Sequence, residues 1–347
     1  MKKHISYKGK ELDTVFTEEM SQEQYEKIKK EFYTKPNKDL VVDEIANLII
    51  GGVQNTNITN YYFKDLMAKT KVWYNKWSLE EVFEHKPLLD TFYAKTLSNE
   101  KVFTSNNLLD NIETAFRLGG KGVASKVANF PIYKLDEIIN RYNINNNWYD
   151  MSCGWGARLT TALKRKVNYF GTDPNYLLIE RLKELNNDWK ETTKMKSGVD
   201  IRAHGSEIFV PEWENKIGLC FTSPPYFNLE DYRVGKQSYT EGVTYESWLN
   251  NFMKPTIQNC HKYLIYDGIF AININDFNGI KLVNDTKKIA EECGFKLVEK
   301  LVLGNISRVK STGDFNDNDE QIMVFMKKEY AHMFKTKTVE QLSIFDL

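Results

Sequence analysis

The chain has 347 residues, 41% hydrophobic and 27% charged, and its Lys plus Arg count equals its Asp plus Glu count, for a net charge of zero. That is enough apolar sequence for one large domain or two of moderate size. The even charge argues mildly against a nucleic-acid partner, although a local basic patch can sit on a neutral protein. No apolar run approaches the roughly 18–20 residues of a membrane span, and Met1-Lys2-Lys3-His4 leads into polar sequence rather than an apolar signal core. The expected location is therefore the cytoplasm. Cys153, Cys220, Cys260 and Cys293 form no CxxC pair and the histidines lack ligand spacing, so reduced thiols and no metal site are expected.

Residues 1–115 read as a helical N-terminal domain, with no alternating strand pattern. Thr17-Glu18-Glu19-Met20 and Ser21-Gln22-Glu23-Gln24 are both candidate capping boxes for a first helix ending near Thr34-Lys35-Pro36. Val41 to Ile50 has apolar residues at helical spacing and stops at Gly51-Gly52. Further helices are predicted over Asn60–Lys71, Leu79–His85 and Leu88–Leu97. The aromatic stretches Tyr61-Tyr62-Phe63-Lys64 and Trp73-Tyr74-Asn75-Lys76-Trp77 suit either a helical core or a surface on which bases stack, and core packing is the commoner use.

From about residue 148 short apolar runs alternate with amphipathic segments. Strands are predicted at Trp148–Met151, Val167–Gly171, Val199–Ala203, Ile217–Thr222, Ile269–Ile274, Phe295–Leu303 and Gln321–Met326. Helices are predicted between them at Arg158–Lys166, Tyr176–Leu185, Tyr245–Tyr263 and Val283–Glu292. This alternation is that of an α/β, doubly wound, mainly parallel sheet. Only a loop joins the last two strands, which predicts an antiparallel edge. A polar tail follows residue 330.

Asp150-Met151-Ser152-Cys153-Gly154-Trp155-Gly156 falls where the first of these strands turns into a helix. Gly154 and Gly156 there allow close approach of backbone N–H groups to a ligand. Asp150 ends the strand, where its carboxylate could hold a cationic amine. The next strand ends in Gly171-Thr172-Asp173, and an acidic residue about 20 positions after a glycine turn suits ribose hydroxyls. The loop lacks both GxGxxG and GxxxxGK[ST], which disfavours a dinucleotide or ATP. Ser223-Pro224-Pro225-Tyr226 ends the strand Ile217–Thr222. A polar residue, two prolines and an aromatic suit holding a planar ring by stacking while gripping an exocyclic amine. The bland alternatives are a glycine corner shaped by sterics and a proline-stiffened surface turn.

Asp150–Gly156, Asp173 and Ser223–Tyr226 resemble motifs I, II and IV of the S-adenosylmethionine-dependent DNA amino-methyltransferases, which act on N4 of cytosine or N6 of adenine. The strings Gly154-Trp155-Gly156-Ala157-Arg158-Leu159 and Ser223-Pro224-Pro225-Tyr226-Phe227-Asn228-Leu229-Glu230 are most similar to a phage and mobile-element subgroup. The resemblance implies a Rossmann-like catalytic domain over about 116–330, S-adenosylmethionine as cofactor and DNA as partner. It assigns Ser223 Oγ and the Pro224 carbonyl to the amine's N–H hydrogens, Pro225 to stiffening the loop, and Tyr226 to stacking on a flipped base. It also implies cofactor contacts at Asp150, Ser152, Gly154, Gly156, Asp173, Glu207 after the third strand and Phe130 in Asn129-Phe130-Pro131. Asn273 and Asn275 either line the same cleft or cap a turn.

Ser at the first motif IV position leans toward cytosine. RNA or protein-glutamine methyl transfer and a catalytically idle nucleic-acid-binding module are the rival readings. Little chain follows the last strand, so DNA reading is expected from residues 1–115 or specificity is low. Asn228–Thr244, with Arg233, Lys236 and Gln237, and the stretch Arg308–Asp319, with Lys310, are expected to be mobile loops near base or phosphate. Gln341-Leu342-Ser343-Ile344-Phe345, in the tail 331–347, resembles the bacterial sliding-clamp-binding peptide, a tether that would raise local concentration on DNA.

Overall fold

The computed structural model describes every residue except 1, 16–17, 73–75, 99–100, 120–122, 125, 143–146, 196, 234–235, 303–320 and 335–347. Its first elements are β1 (Lys2–Tyr7), β2 (Lys10–Val15), α1 (Gln22–Tyr33), α2 (Lys38–Ile49), α3 (Asn57–Lys69), α4 (Leu79–Phe83), α5 (Lys86–Leu97), α6 (Leu108–Gly119) and α7 (Ile132–Tyr142). Then follow β3 (Asn147–Asp150), α8 (Ala157–Lys164), β4 (Asn168–Thr172), α9 (Tyr176–Thr193), β5 (Val199–Arg202) and β6 (Ile217–Thr222). The last are α10 (Tyr245–Trp248), α11 (Lys254–Tyr263), β7 (Leu264–Ile274), α12 (Leu282–Glu292), β8 (Phe295–Val302) and β9 (Gln321–Lys327), with a π-helical segment, Leu249–Met253, between α10 and α11. The chain forms two compact units. The first is Met1–Leu40, Phe63–Ala128 and Asn228–Val234; the second is Val41–Tyr62, Asn129–Phe227 and Gly235–Leu347.

The first unit has its own core, in which Tyr25, Ile28 and Phe32 of α1 meet Phe83, Phe92 and Phe116, with Phe32 stacked on Phe83 at 3.7 Å. Of the two candidate capping boxes, the one used is Ser21 with Gln24, which satisfies the otherwise orphaned N–H groups at the start of α1. The N-terminal segment is not wholly helical. β1 and β2 pair antiparallel, from Lys2 opposite Val15 to Tyr7 opposite Lys10. Lys8 and Gly9 both have positive φ, 49° and 72°, as a two-residue turn between right-twisted strands requires. These strands have polar residues on both faces and, among the described residues, bury only Ile5 deeply, so their alternation is faint in the sequence.

The second unit is built on a seven-stranded sheet in the order β5-β4-β3-β6-β7-β9-β8. β3 pairs in parallel with β4 and β6, β4 with β5, and β6 with β7, while β9 runs antiparallel to both β7 and β8. The α/β class and the antiparallel final pair are as expected from sequence, but the last strand is inserted inside the sheet and β8 is the edge. Successive side chains point to opposite faces of the sheet, and both faces are covered, so that Ile217–Thr222 is buried throughout. Tyr149, Cys220, Phe270 and Ile272 pack into a core with Trp248, Ile257 and Tyr263. Trp148, Tyr169 and Phe221 cluster on the opposite face, with Trp148 and Tyr169 centroids 5.9 Å apart. Each large side chain fully buried here is worth about 1.5–3 kcal/mol. No helix among the described residues is long and apolar enough to cross a membrane.

Candidate active site

Strand order reverses at β3. The chain leaves β3 toward β4 on one side, and β6 lies on the other. Crevices at such switch points, beyond the carboxyl ends of the strands, are where open α/β sheets bind ligands. Because β3 and β6 are parallel neighbours in register, Trp148 opposite Leu219, the loops beginning at Met151 and at Ser223 leave the sheet side by side.

The turn after β3 depends on its glycines. Gly154 and Gly156 take φ of 57° and 82°, a region where side chains are strained, and a Cβ at Gly154 would lie 2.9 Å from the Arg158 guanidinium. Gly156 caps α8. The turn therefore exposes backbone rather than side chains to whatever occupies the crevice.

Asp150 is fully buried. One oxygen accepts from Arg158 Nε and from the Tyr169 hydroxyl, both at 2.6 Å; the other accepts from Thr222 Oγ1 at 2.9 Å and the Ser152 N–H at 3.2 Å. Four donors fill the lone-pair capacity of a carboxylate. In this structure its charge is matched by Arg158 rather than by a bound amine. Burial disfavours the charged guanidinium, yet Asp150, Tyr169 and Cys153 together raise the Arg158 pKa. Arg158 also donates to the Ser152 carbonyl, so it clasps both ends of the turn's first residues. Sequence reasoning quoted Arg158 but gave it no role, and it missed Tyr169 and Thr222. The available signal was a lone arginine at the start of an otherwise apolar and small helix face.

Asp173, at the end of β4, stays half-buried. Its carboxylate accepts the Asn175 N–H at 2.9 Å and that of Gly154, which joins the segments that follow β3 and β4. Burial, with the neighbouring Asp150 second among the raising influences, lifts its pKa to about 7 against those two donors. Ser152 is half-buried and its hydroxyl donates to the Met151 carbonyl at 2.8 Å. Phe130 meets Phe221 edge to face at 5.6 Å. The preceding Asn129 anchors that segment to the glycine turn, donating to the Trp155 carbonyl at 2.7 Å. Glu207 is exposed and folds back over Gly205, outside the hydrogen-bonded cluster, while buried Ser206 binds Thr256 at 2.8 Å.

On the β6 side, Ser223 is half-buried and Asn273 of β7 donates to its Oγ at 3.3 Å. Pro224 is buried; Pro225 and Tyr226 are half-buried, and the Tyr226 ring stacks on Phe277 at 5.9 Å with a 30° tilt. Phe227 has φ of 40°, rare for a residue with a side chain, and its ring is held among Tyr239, Tyr245 and Trp248. The structure thus brings together Asp150, Ser152, Gly154, Gly156 and Asp173, and links them through Thr222 to Ser223–Tyr226. It keeps Glu207 apart.

Other residues singled out in the sequence are placed as follows. Tyr62, Phe63 and Trp77 are buried, so they serve packing; residues 73–75 lie outside the described residues, as do Lys310 with its loop and Gln341–Phe345. Arg233 pairs with Asp231 at 3.3 Å and with Glu81 at 3.4 Å. Among the described residues no group of three or more His, Cys, Asp or Glu side chains is placed to hold a metal ion.

The residues present fit a nucleoside-type cofactor: a half-buried carboxylate with acceptor capacity ends one strand, and side-chain-free backbone lines the turn beside it. Residues 217–343 match the model of the N6/N4 DNA methylase family. A search of curated proteins finds no match. Similar solved structures include a TehB-like S-adenosylmethionine-dependent methyltransferase from Corynebacterium glutamicum, 17% identical over 57% of this chain and 86% of that one, at a TM-score of 0.39. Another is the magnesium protoporphyrin IX methyltransferase of Synechocystis PCC 6803, 8% identical over 56% of this chain and 76% of that one, at 0.37. The cyclopropane synthase MmaA2 of Mycobacterium tuberculosis is 11% identical over 56% and 84%, at 0.39. The second unit has a Rossmann-like methyltransferase architecture by its own strand order, its residues 217–343 are similar to the N6/N4 DNA methylases, and S-adenosylmethionine is the cofactor that this likeness implies.

Proposed function

We propose that the protein methylates an exocyclic amino group, N4 of cytosine or N6 of adenine, on a base flipped out of DNA. The observation that carries this reading is the placement of Ser223-Pro224-Pro225-Tyr226 beside the glycine turn, with Thr222 bonded to Asp150. When bound, S-adenosylmethionine supplies a methyl group on a cationic sulfur. The chain supplies position. An exocyclic amine is a poor nucleophile because its lone pair is delocalised into the ring. Ser223 Oγ and the Pro224 carbonyl accept its N–H hydrogens and draw the nitrogen toward a tetrahedral, nucleophilic geometry. Pro225 stiffens the loop. Tyr226, backed by Phe277, stacks on the base, which must leave the duplex to be reached. No covalent enzyme intermediate is required, and orientation carries most of the rate.

On the cofactor side, Asp173 accepts ribose hydroxyls, Gly154, Gly156 and Ser152 line the turn, and Phe130 covers the methionine end. Glu207 reaches the adenosine end by turning outward from Gly205. Asp150 acts one layer behind, holding the turn through Arg158. The terminal Gln341–Phe345 segment tethers the enzyme to a sliding clamp.

Methyl transfer to DNA, RNA and protein by wild type and Tyr226→Ala tests the reading. Transfer to DNA that falls at least a hundredfold in Tyr226→Ala supports it. Transfer to RNA or protein alone, or equal activity in both proteins, overturns it. Mass spectrometry of nucleosides from expressing cells then distinguishes N4-methylcytosine from N6-methyladenine, and loss of clamp binding on deleting 341–347 tests the tether.

A further inference from the structure

The first unit gathers four cations around two carboxylates. Glu81 is buried, and its oxygens lie 3.6 Å from Lys8 Nζ, 3.5 Å from Lys71 Nζ and 3.4 Å from Arg233 Nη2. Asp231 adds one negative charge, 3.3 Å from Arg233 Nε. Lys10 completes the group: its ammonium donates to the Lys76 carbonyl, and burial, with Lys71 as the next cause and Arg233 adding to it, lowers its pKa to about 8. Burial alone would raise the Glu81 pKa, but the Ser78 N–H, Lys71, Lys8 and Arg233 together bring it below the ordinary range.

This grouping is built rather than incidental. Lys8 stands at the tip of the β1–β2 turn with φ of 49°, and the hairpin is fixed by Trp77 Nε1 donating to the Tyr7 carbonyl at 3.1 Å. Glu81 is locked by its capping box with Ser78 at the start of α4. Asp231 and Lys71 exchange backbone hydrogen bonds at 2.8 and 3.0 Å. Arg233 has φ of 56°, a strained conformation for a residue with a side chain, stabilised by its N–H donating to Asp231 Oδ1 at 3.1 Å. Among the described residues, four cations stand against two carboxylates in this group, with Glu84 also within the field of Lys8, on a protein of zero net charge. The cations that meet Glu81 from outside, Lys8 and Arg233, keep 56% and 46% of their side-chain surface, whereas Lys71 keeps 7%.

We propose that this cluster is a backbone-phosphate site for duplex DNA, in which Lys8 and Arg233 turn from Glu81 to a phosphate while Lys71 stays on Glu81. The inference rests on the DNA reading above and adds where the duplex is gripped. Arg233 lies ten positions after Ser223 along the chain. A phosphate held there positions the duplex without reading its sequence.

The test is binding of the full-length protein to fluorescently labelled duplex DNA and duplex RNA across a potassium chloride series. Each phosphate-neutralising cation contributes about 0.9 to the slope of log K against log salt. Lys8→Gln and Arg233→Gln are each expected to lower that slope for DNA by about one and to weaken binding uniformly across sequences. Glu81→Gln keeps the capping box but releases the cations, and is expected to tighten DNA binding severalfold, a change of sign that a purely structural role would not give. Unchanged slopes in the lysine and arginine variants, or weaker binding by Glu81→Gln, overturn the site while wild-type DNA methylation leaves the functional reading standing. An effect confined to duplex RNA overturns it too. Absence of DNA methylation by wild type marks failure of that reading instead.

Discussion

Asp150 and Arg158 form a closed ion pair beneath the glycine turn, Nε to Oδ2 at 2.6 Å, with both side chains almost wholly removed from solvent. The pair ties together three segments: the end of β3, the first turn of α8 and, through Thr222, the last residue before Ser223. A buried pair adds little over an apolar pair of equal volume, but removing one partner strands the other charge at a cost of about 3–5 kcal/mol. Arg158→Met is therefore expected to lose about that much stability in urea unfolding. Adding Asp150→Asn should restore part of it, since no charge is then left unpaired. Arg158→Lys keeps the charge but cannot bridge Asp150 and Ser152 at once, so it should fold and yet bind the cofactor more weakly. Equal cofactor affinity in Arg158→Lys and wild type would show that the clasp does not shape the turn.

Asp173 gives the site a pH dependence. Its carboxyl is raised to about 7, by burial first and then, among the raising influences, by Asp150. The folded protein then holds a proton that the unfolded chain releases near its ordinary range. The group's contribution to stability is present at low pH and is lost as pH rises through about 7. Cofactor affinity should run the other way. On the proposed role of Asp173, ribose hydroxyls would donate to the ionised carboxylate, so binding is expected to strengthen as pH rises through about 7 and to release a proton below it. Calorimetric titration in buffers of different ionisation enthalpy measures both. Asp173→Asn should bind more weakly and flatten the profile; a variant with the wild-type slope would place the titrating group elsewhere.

The sheet was legible because its strands announce themselves locally. Ile217–Thr222 is apolar throughout and is buried at every position, and the expected ends of the other strands fall within a few residues of the observed ones. β7 is the largest departure, starting at Leu264 rather than Ile269, because Tyr266-Asp267-Gly268 breaks the apolar run that the backbone nevertheless continues. The chemistry-bearing tetrapeptide and the glycine turn were legible for the same reason: their residue types are unusual wherever they stand. Asp150's partners were not. Tyr169 and Thr222 reach it from neighbouring strands and Arg158 from the following helix, and only the register of the sheet says that they converge. The place of residues 228–234 in the first unit was equally hidden, since it rests on the Lys71–Asp231 backbone bridge and the Arg233 ion pairs, contacts far apart in sequence.

Asn273 is expected to act on Ser223 rather than on the base. Its amide donates to Ser223 Oγ at 3.3 Å, which fixes the direction of the remaining lone pair. Losing one hydrogen bond of about 1 kcal/mol from an orienting group predicts roughly a fivefold fall in kcat for Asn273→Ala. Cofactor affinity should be unchanged, because Asp173 and the glycine turn are untouched. Ser223→Ala should cost more than Asn273→Ala, and the double variant no more than Ser223→Ala alone, since the asparagine has then nothing to orient. Additive losses measured in single-turnover assays would separate the two residues.

Phe227 joins strain to anchorage immediately after Ser223–Tyr226. Its φ is 40°, in the left-handed region that costs a residue with a side chain about 1–2 kcal/mol, and that cost is met by packing the ring against Tyr239 at 4.8 Å, Tyr245 at 5.4 Å and Trp248 at 5.9 Å. Truncation to Ala removes the packing and keeps the strain, so Phe227→Ala is expected to lose about 3–5 kcal/mol. Truncation to Gly removes both. At most positions Gly is less stable than Ala through its greater freedom in the unfolded chain, but here the order should reverse, with Phe227→Gly more stable than Phe227→Ala by about 1 kcal/mol. Both variants should lower kcat, because either releases the loop that carries Tyr226. Urea midpoints at equal slope decide the matter: an Ala variant more stable than the Gly variant would mean that the loop relaxes out of the left-handed conformation once the ring is gone, and that the aromatic packing alone imposes it.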